Sequence, residues 1–147
     1  MATDYWPQEE GEIGGVCIKI GFATAGTASS VVAYKGVRCY TADTAGELKV
    51  MLATTRQGWG IALKTVATAG DPVPILIFGV VKAFAGGACT RDLACTFDSA
   101  GRLVLLSDQA VNESGSASYT VYYSAKVARA LRSVTTANDE FIVLFCA

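Results

Sequence analysis

Ile61-Ala-Leu-Lys-Thr-Val-Ala-Thr-Ala-Gly-Asp-Pro-Val-Pro-Ile-Leu-Ile77 lies without a gap over Arg129-Ala-Leu-Arg-Ser-Val-Thr-Thr-Ala-Asn-Asp-Glu-Phe-Ile-Val-Leu-Phe145, an offset of 68 residues from 61 to 129. Identities fall at Ala62/Ala130, Leu63/Leu131, Val66/Val134, Thr68/Thr136, Ala69/Ala137, Asp71/Asp139 and Leu76/Leu144, while Lys64/Arg132, Thr65/Ser133 and Ile75/Val143 keep their chemical character. Each copy reads as strand, turn, strand. Gly70 and Asn138 are the residue types that best accept positive φ, and each precedes an Asp able to close the turn. The second strand of each copy is apolar on both faces, and a strand wetted on one side would alternate instead. In a small barrel only one face of a strand looks inward, so the other needs cover from a helix or from another chain. The sequence offers no sustained helical stripe, and the cover is therefore expected from a second copy. Ile75, Ile77, Phe78, Phe141, Val143 and Phe145 are the candidate subunit interface. Pro72 and Pro74 are expected to keep the start of the first of these strands out of a central ladder.

Outward from the repeat the apolar period is again two. Val16, Ile18, Ile20 and Phe22 alternate with Cys17, Lys19 and Gly21, and the small, polar Ala23–Ser30 reads as a turn or loop. Val31–Tyr34 resumes an extended run, Val37 and Cys39 alternate with Arg38 and Tyr40, and Thr44–Glu47 is a turn before Lys49–Ala53. Phe97-Asp-Ser-Ala-Gly-Arg102 signals a hairpin whose second strand is Leu103–Leu106. Ser107–Ser118 is the longest loop candidate, followed by an alternating strand over Tyr119–Val127; short helices are open around Thr90–Thr96 and near Gln109. Many short strands at close spacing define an all-β chain, a compact barrel or sandwich with an internal strand–turn–strand repeat. Residues 1–12 form an acidic N-terminal arm and 13–147 a single β domain. In the arm, Tyr5 and Trp6 are candidate contacts to a neighbouring subunit, because an isolated tail Trp has no other way to leave water.

Composition excludes several functions. A chain of 147 residues, 52% hydrophobic and only 17% charged, hides roughly 70% of its unfolded surface and has apolar area to spare for an interface. The net charge is −1 and the cations are scattered singly, so the basic stripe that nucleic acid demands is missing. The longest apolar run, Val73–Val81, falls short of the about 20 residues of a spanning helix, so no membrane association is expected. The N-terminus lacks the basic region of a signal peptide, and synthesis in a cytoplasm is expected. There is no histidine, which closes Ser–His and Cys–His catalysis and removes the usual imidazole metal ligand.

The remaining motifs carry packing rather than chemistry. Gly58-Trp59-Gly60 is followed by no helix signature and no Gly-Lys-Ser/Thr, so it is neither a dinucleotide fingerprint nor a P-loop. Trp59 reads as a core or interface aromatic. Cys89 and Cys95, separated by five residues, lie outside zinc spacing, and Ser114 lacks a nucleophile elbow. The carboxylates Glu9, Glu10 and Glu12 sit in the arm and Asp139-Glu140 at a turn, without a rigid scaffold between them. Neither an enzyme nor a cofactor is expected.

The pattern Gly60-Ile-Ala-Leu63, Ala69-Gly-Asp71 and a strand ending Phe78-Gly-Val-Val81, with Asp98 and Gly101-Arg102-Leu-Val and then Arg129-Ala-Leu-Arg132 and Asn138-Asp-Glu-Phe-Ile-Val143, resembles the decoration, or cement, proteins of tailed-phage capsids. The resemblance covers residues 31–147 and departs from the family at Ala128, where the second Gly-x-Ala-Leu motif would have Gly. It implies a compact β-barrel that trimerises on the outer surface of a capsid, contacts the major capsid protein and stabilises the shell without catalysis. A carbohydrate- or receptor-binding barrel using Tyr5, Trp6, Tyr40 or Tyr122 is the alternative. The five cysteines, an odd number, read as reduced small apolar residues. Thiol labelling of the native and the denatured protein is expected to count five free thiols; a count of three or fewer would contradict this.

Overall fold

A computed structural model describes residues 19–27, 30–40, 48–106 and 126–146. Among the described residues nine strands form: β1 (Lys19–Ala25), β2 (Gly36–Cys39), β3 (Lys49–Leu52), β4 (Gly60–Ala62), β5 (Pro72–Phe84), β6 (Ala94–Phe97), β7 (Leu103–Leu105), β8 (Ala128–Ala130) and β9 (Glu140–Cys146); the strand expected over Tyr119–Val127 lies mostly outside the described residues. The described residues contain no helix, and Thr90–Leu93 is a turn entering β6. The order is β1-β3-β2-β4-β5-β9-β8-β6-β7, and β1 also pairs with β5. That extra pairing closes a five-stranded barrel, β1-β3-β2-β4-β5. The other strands close a second ring through a parallel bridge from Ala85, just past β5, to Leu103 of β7.

The two barrels repeat each other strand for strand, with β5 serving both. Its first half, paired with β4 and β1, is the last strand of barrel one; its second half, paired with β9, is the first strand of barrel two. The parallel contact Ala25↔Val50 thus corresponds to Ala85↔Leu103, and Gly36↔Ile61 to Ala94↔Arg129. Loop hydrogen bonds repeat as well. The Tyr34 N–H donates to the Ala62 carbonyl at 2.7 Å and the Asp92 N–H to that of Ala130 at 2.8 Å, with both donors at positive φ (61° and 69°). The Ala33 N–H bonds the Thr65 hydroxyl and the Arg91 N–H the Ser133 hydroxyl, each at 3.0 Å. Gly70 (φ 86°) and Asn138 (φ 68°) close the matching turns, with Asp71 and Asp139 in equivalent places.

Two expected loops and strands differ. β1 runs on through Ala23–Ala25, because Ala23 and Ala25 alternate inward past Thr24 and fit a narrow interior. Val31–Tyr34 is not a strand: Val31 forms an isolated β-bridge with Val66, and the chain then turns at Tyr34, at positive φ. Pro72 and Pro74 do join a ladder, opposite Thr24 and Phe22 of β1. The Pro74 carbonyl accepts the Leu63 N–H, so its ring nitrogen faces the side where β4 has already ended and no donor is needed.

Each barrel has its own interior. Ala23, Ala25, Val31, Val37, Val50, Ala62, Val73 and Ile75 line the first. Their counterparts Ala83, Ala85, Cys89, Cys95, Leu103, Ala130, Phe141 and Val143 line the second. Volume is conserved across the set: two valines shrink to Cys89 and Cys95 while Val73 grows to Phe141, the kind of exchange a close-packed core tolerates.

Barrel one then seals barrel two. The Phe97 ring leaves the end of the second interior, 6.2 Å from the ring of Phe145, and lies against Gly36 and Gly58 on the outside of the first barrel. A Cβ on Gly36 would collide with that ring. Ala53, Ile61, Leu63 and Leu76, all outside barrel one, join the core of barrel two. Backbone bonds lace the seam: Gly36 N–H to the Gly101 carbonyl (2.7 Å), Arg56 N–H to that of Phe97 (3.0 Å) and Phe84 N–H to that of Tyr34 (3.2 Å). Gly36→Ala should therefore cost about 1–3 kcal/mol in urea denaturation, and pairing it with Phe97→Leu should return part of that loss; an unchanged midpoint for Gly36→Ala would contradict the seal.

Candidate functional site

The described residues hold no cluster of three or more side chains able to bind a metal ion. Their titratable groups do other work. Asp98 accepts the N–H groups of Ala100 (2.8 Å) and Arg102 (2.9 Å) on Oδ1, and the Arg102 guanidinium on Oδ2 at 2.8–2.9 Å. Arg102 Nη1 reaches on to Asn138 Oδ1 at 2.9 Å, so this clamp ties the β6–β7 hairpin to the turn of the second repeat copy. Cys95 faces Cys89 inside barrel two; the hydrogen bond with Cys89 and burial hold its thiol above the ordinary range, the reverse of what a nucleophile needs. The two thiols fill the places of Val31 and Val37. A shallow groove over Arg132–Thr135, Asp139 and Glu140 is open and lined by exposed polar groups.

The expected interface residues divide. Ile75, Phe141, Val143 and Phe145 are buried within the chain, three of them in barrel interiors and Phe145 beside Phe97. The cover expected for these four from a second copy comes from the chain's own barrels. Ile77 and Phe78 remain at the surface. Tyr5, Trp6 and Tyr122 lie outside the described residues. Tyr40 packs its ring over Gly26 and is no free stacking platform, and Trp59 packs on the interior of barrel one.

What sequence reasoning missed is where exposed apolar side chains gather. Among the described residues the large ones are Leu48 (51% exposed), Ile77 (39%), Phe78 (40%), Leu93 (49%) and Leu131 (37%). Leu48 and Ile77 occupy, in barrel one, the places that Gly101 and Phe145 hold at the sealed end of barrel two. Leu131 occupies, in barrel two, the place of Leu63, one of the barrel-one residues buried in that seal, and the Leu93 carbonyl takes the N–H of the preceding Ala130. Leu144 stands at the place of Leu76 and is only half-buried. Phe78 lies opposite Cys146 on the same outer face as Leu144. The signal was present in the Leu63/Leu131 and Leu76/Leu144 identities, but sequence does not say which copy is covered.

No protein-family model matches the chain, and no curated protein does. Among solved structures it is similar to the head fiber gp8.5 N base in bacteriophage phi29, with a TM-score of 0.60 at 16% identity, over 86% of this chain and 94% of that one. The likeness spans nearly the whole of both molecules and shows that they share an all-β fold.

Ile75 and Ile77 sit two residues apart on one strand with opposite exposure, which gives a direct test. Ile75→Asp should put an unpaired charge inside barrel one and cost at least about 3 kcal/mol, enough to prevent folding of a marginal chain. Ile77→Asp should stay within about 0.5 kcal/mol of wild type in dilute solution. Equal effects in denaturant titrations would contradict the two-barrel burial.

Proposed function

We propose that this chain is a structural protein of a phage virion that binds the outer surface of the capsid as a homotrimer, contacts the major capsid protein and stabilises the shell without catalysis. The observation that carries the reading is the fold, shared over most of both chains with the base of a phage head fiber. Two further features support it. The capsid-decoration motifs quoted above fall on the repeat and the β6–β7 hairpin, the parts that build and brace the barrels. The exposed apolar residues lie at the end of one barrel and on the face of the other, where a partner would be met. A trimer presents its capsid-binding surface three times, and simultaneous engagement multiplies a weak single contact into firm attachment. In this reading the chain is made in the host cytoplasm and ends on the outside of the virion.

Purified chain mixed with undecorated phage shells should pellet with them, and the decorated shells should withstand heating or chelation that breaks bare ones. Light scattering of the free protein should give three times the 15.3 kDa chain mass. Shells left bare at saturating protein would defeat the reading and promote the carbohydrate- or receptor-binding module.

A further inference from the structure

Two nearly equivalent barrels joined front to back leave one surface of each kind unused. Within the chain, the outer face of barrel one (Gly36, Ile61, Leu63, Leu76) seals the end of barrel two at Phe97 and Phe145. The same outer face on barrel two, bearing Leu131 and Leu144, seals nothing among the described residues. The same end on barrel one, bearing Leu48, Ile77 and the exposed Cys39, receives nothing among them. We propose that a second copy of this chain makes the missing contact: the outer face of barrel two in one copy docks on the end of barrel one in the next, repeating between chains the contact that joins the barrels within one.

Three observations point to this occupant over any other. Of the five exposed large apolar residues among the described ones, Leu48 and Ile77 fall on the receiving end and Leu131 on the docking face, while Phe78 borders that face. Bulk has also been exchanged across the contact. Within the chain the Phe97 ring enters a space left by Gly36; at the equivalent positions between chains the smaller Cys39 would meet the larger Ala94. One cation, Arg129, stands where Ile61 is buried, and its guanidinium donates to the Asp92 carbonyl at 3.0 Å. This makes the contact between chains more polar than the one within, as suits an association that must form after folding.

Such a contact is heterologous, because different surfaces meet, and repeating it closes a ring or continues as a filament according to the angle it sets. A ring of three is the homotrimer of the proposed function, but the contact itself needs no capsid and is tested without one. Ile77→Asp spoils the receiving end and Leu131→Asp the docking face; both positions are exposed, so both variants should keep the wild-type circular dichroism. Each variant alone should be monomeric by light scattering, while wild type is a multimer. An equal mixture should form a species of twice the chain mass and stop there, since one intact face meets one intact end. Leu48→Asp mixed with Leu131→Asp should do the same. A monomeric wild type, a single variant that keeps the wild-type mass, or mixtures that remain monomeric would overturn the proposal. A chain that passes these tests yet leaves shells bare would defeat only the capsid reading.

Discussion

One strand belongs to two barrels. β5 runs for 13 residues, about 43 Å of extended chain, and its odd-numbered side chains point into both interiors: Val73 and Ile75 into the first, Val81 and Ala83 into the second. A slip of one residue in its pairing would turn both cores inside out at once, so the register of the whole sheet hangs on this strand. Gly79 sits where β5 passes from one barrel to the other, at φ 138°, a conformation that side-chain-bearing residues rarely adopt. Beside it the β1 ladder shifts register between Lys19 and Ile20. Both irregularities fall where a single strand must curve around two rings.

Sharing a strand fixes the barrels side by side, and small substitutions then decide which surfaces are hidden. Equivalent positions differ in the direction their surroundings require: Gly36 against Ala94, Ile61 against Arg129, Phe97 against Cys39. The seam between barrels is thus a packed core, dry and aromatic, whereas the same face one repeat later carries a charge. The repeat presents these surfaces twice, one set closed within the chain and the other facing solvent.

The best-organised polar groups among the described residues brace the fold. Its best-organised charges, Asp98 and Arg102, are consumed in clamping a hairpin, and its two facing thiols are packed as small core residues. Rigidity follows from this economy. A barrel closed through β1–β5 leaves few strand edges unpaired, and the second barrel braces the first instead of moving against it. A stiff body of this kind can present an apolar surface to a partner without paying to order it, and preorganisation is what lets a modest surface bind tightly.

The sequence by itself determined the class of the fold, the two matching turns and the equivalence of residues 61–77 with 129–145, because these rest on local causes: period-two patterning, Gly and Asn at positive φ, and Asp beside them. The hairpin at Asp98 was legible for the same reason. That the duplication extends to β1, β2 and β3 was not, because there the copies preserve backbone geometry while exchanging side chains, Val31 for Cys89 and Tyr34 for Asp92, and hydrogen bonds such as those from Tyr34 and Asp92 leave no mark on composition. Nor could the pattern show which apolar strands were already covered. A strand apolar on both faces reports only that both are dry. Whether the second layer is a helix, another chain or the protein's own second barrel depends on long-range closure, and here tertiary structure placed Phe145 inside the chain and left Ile77, its counterpart, at the surface.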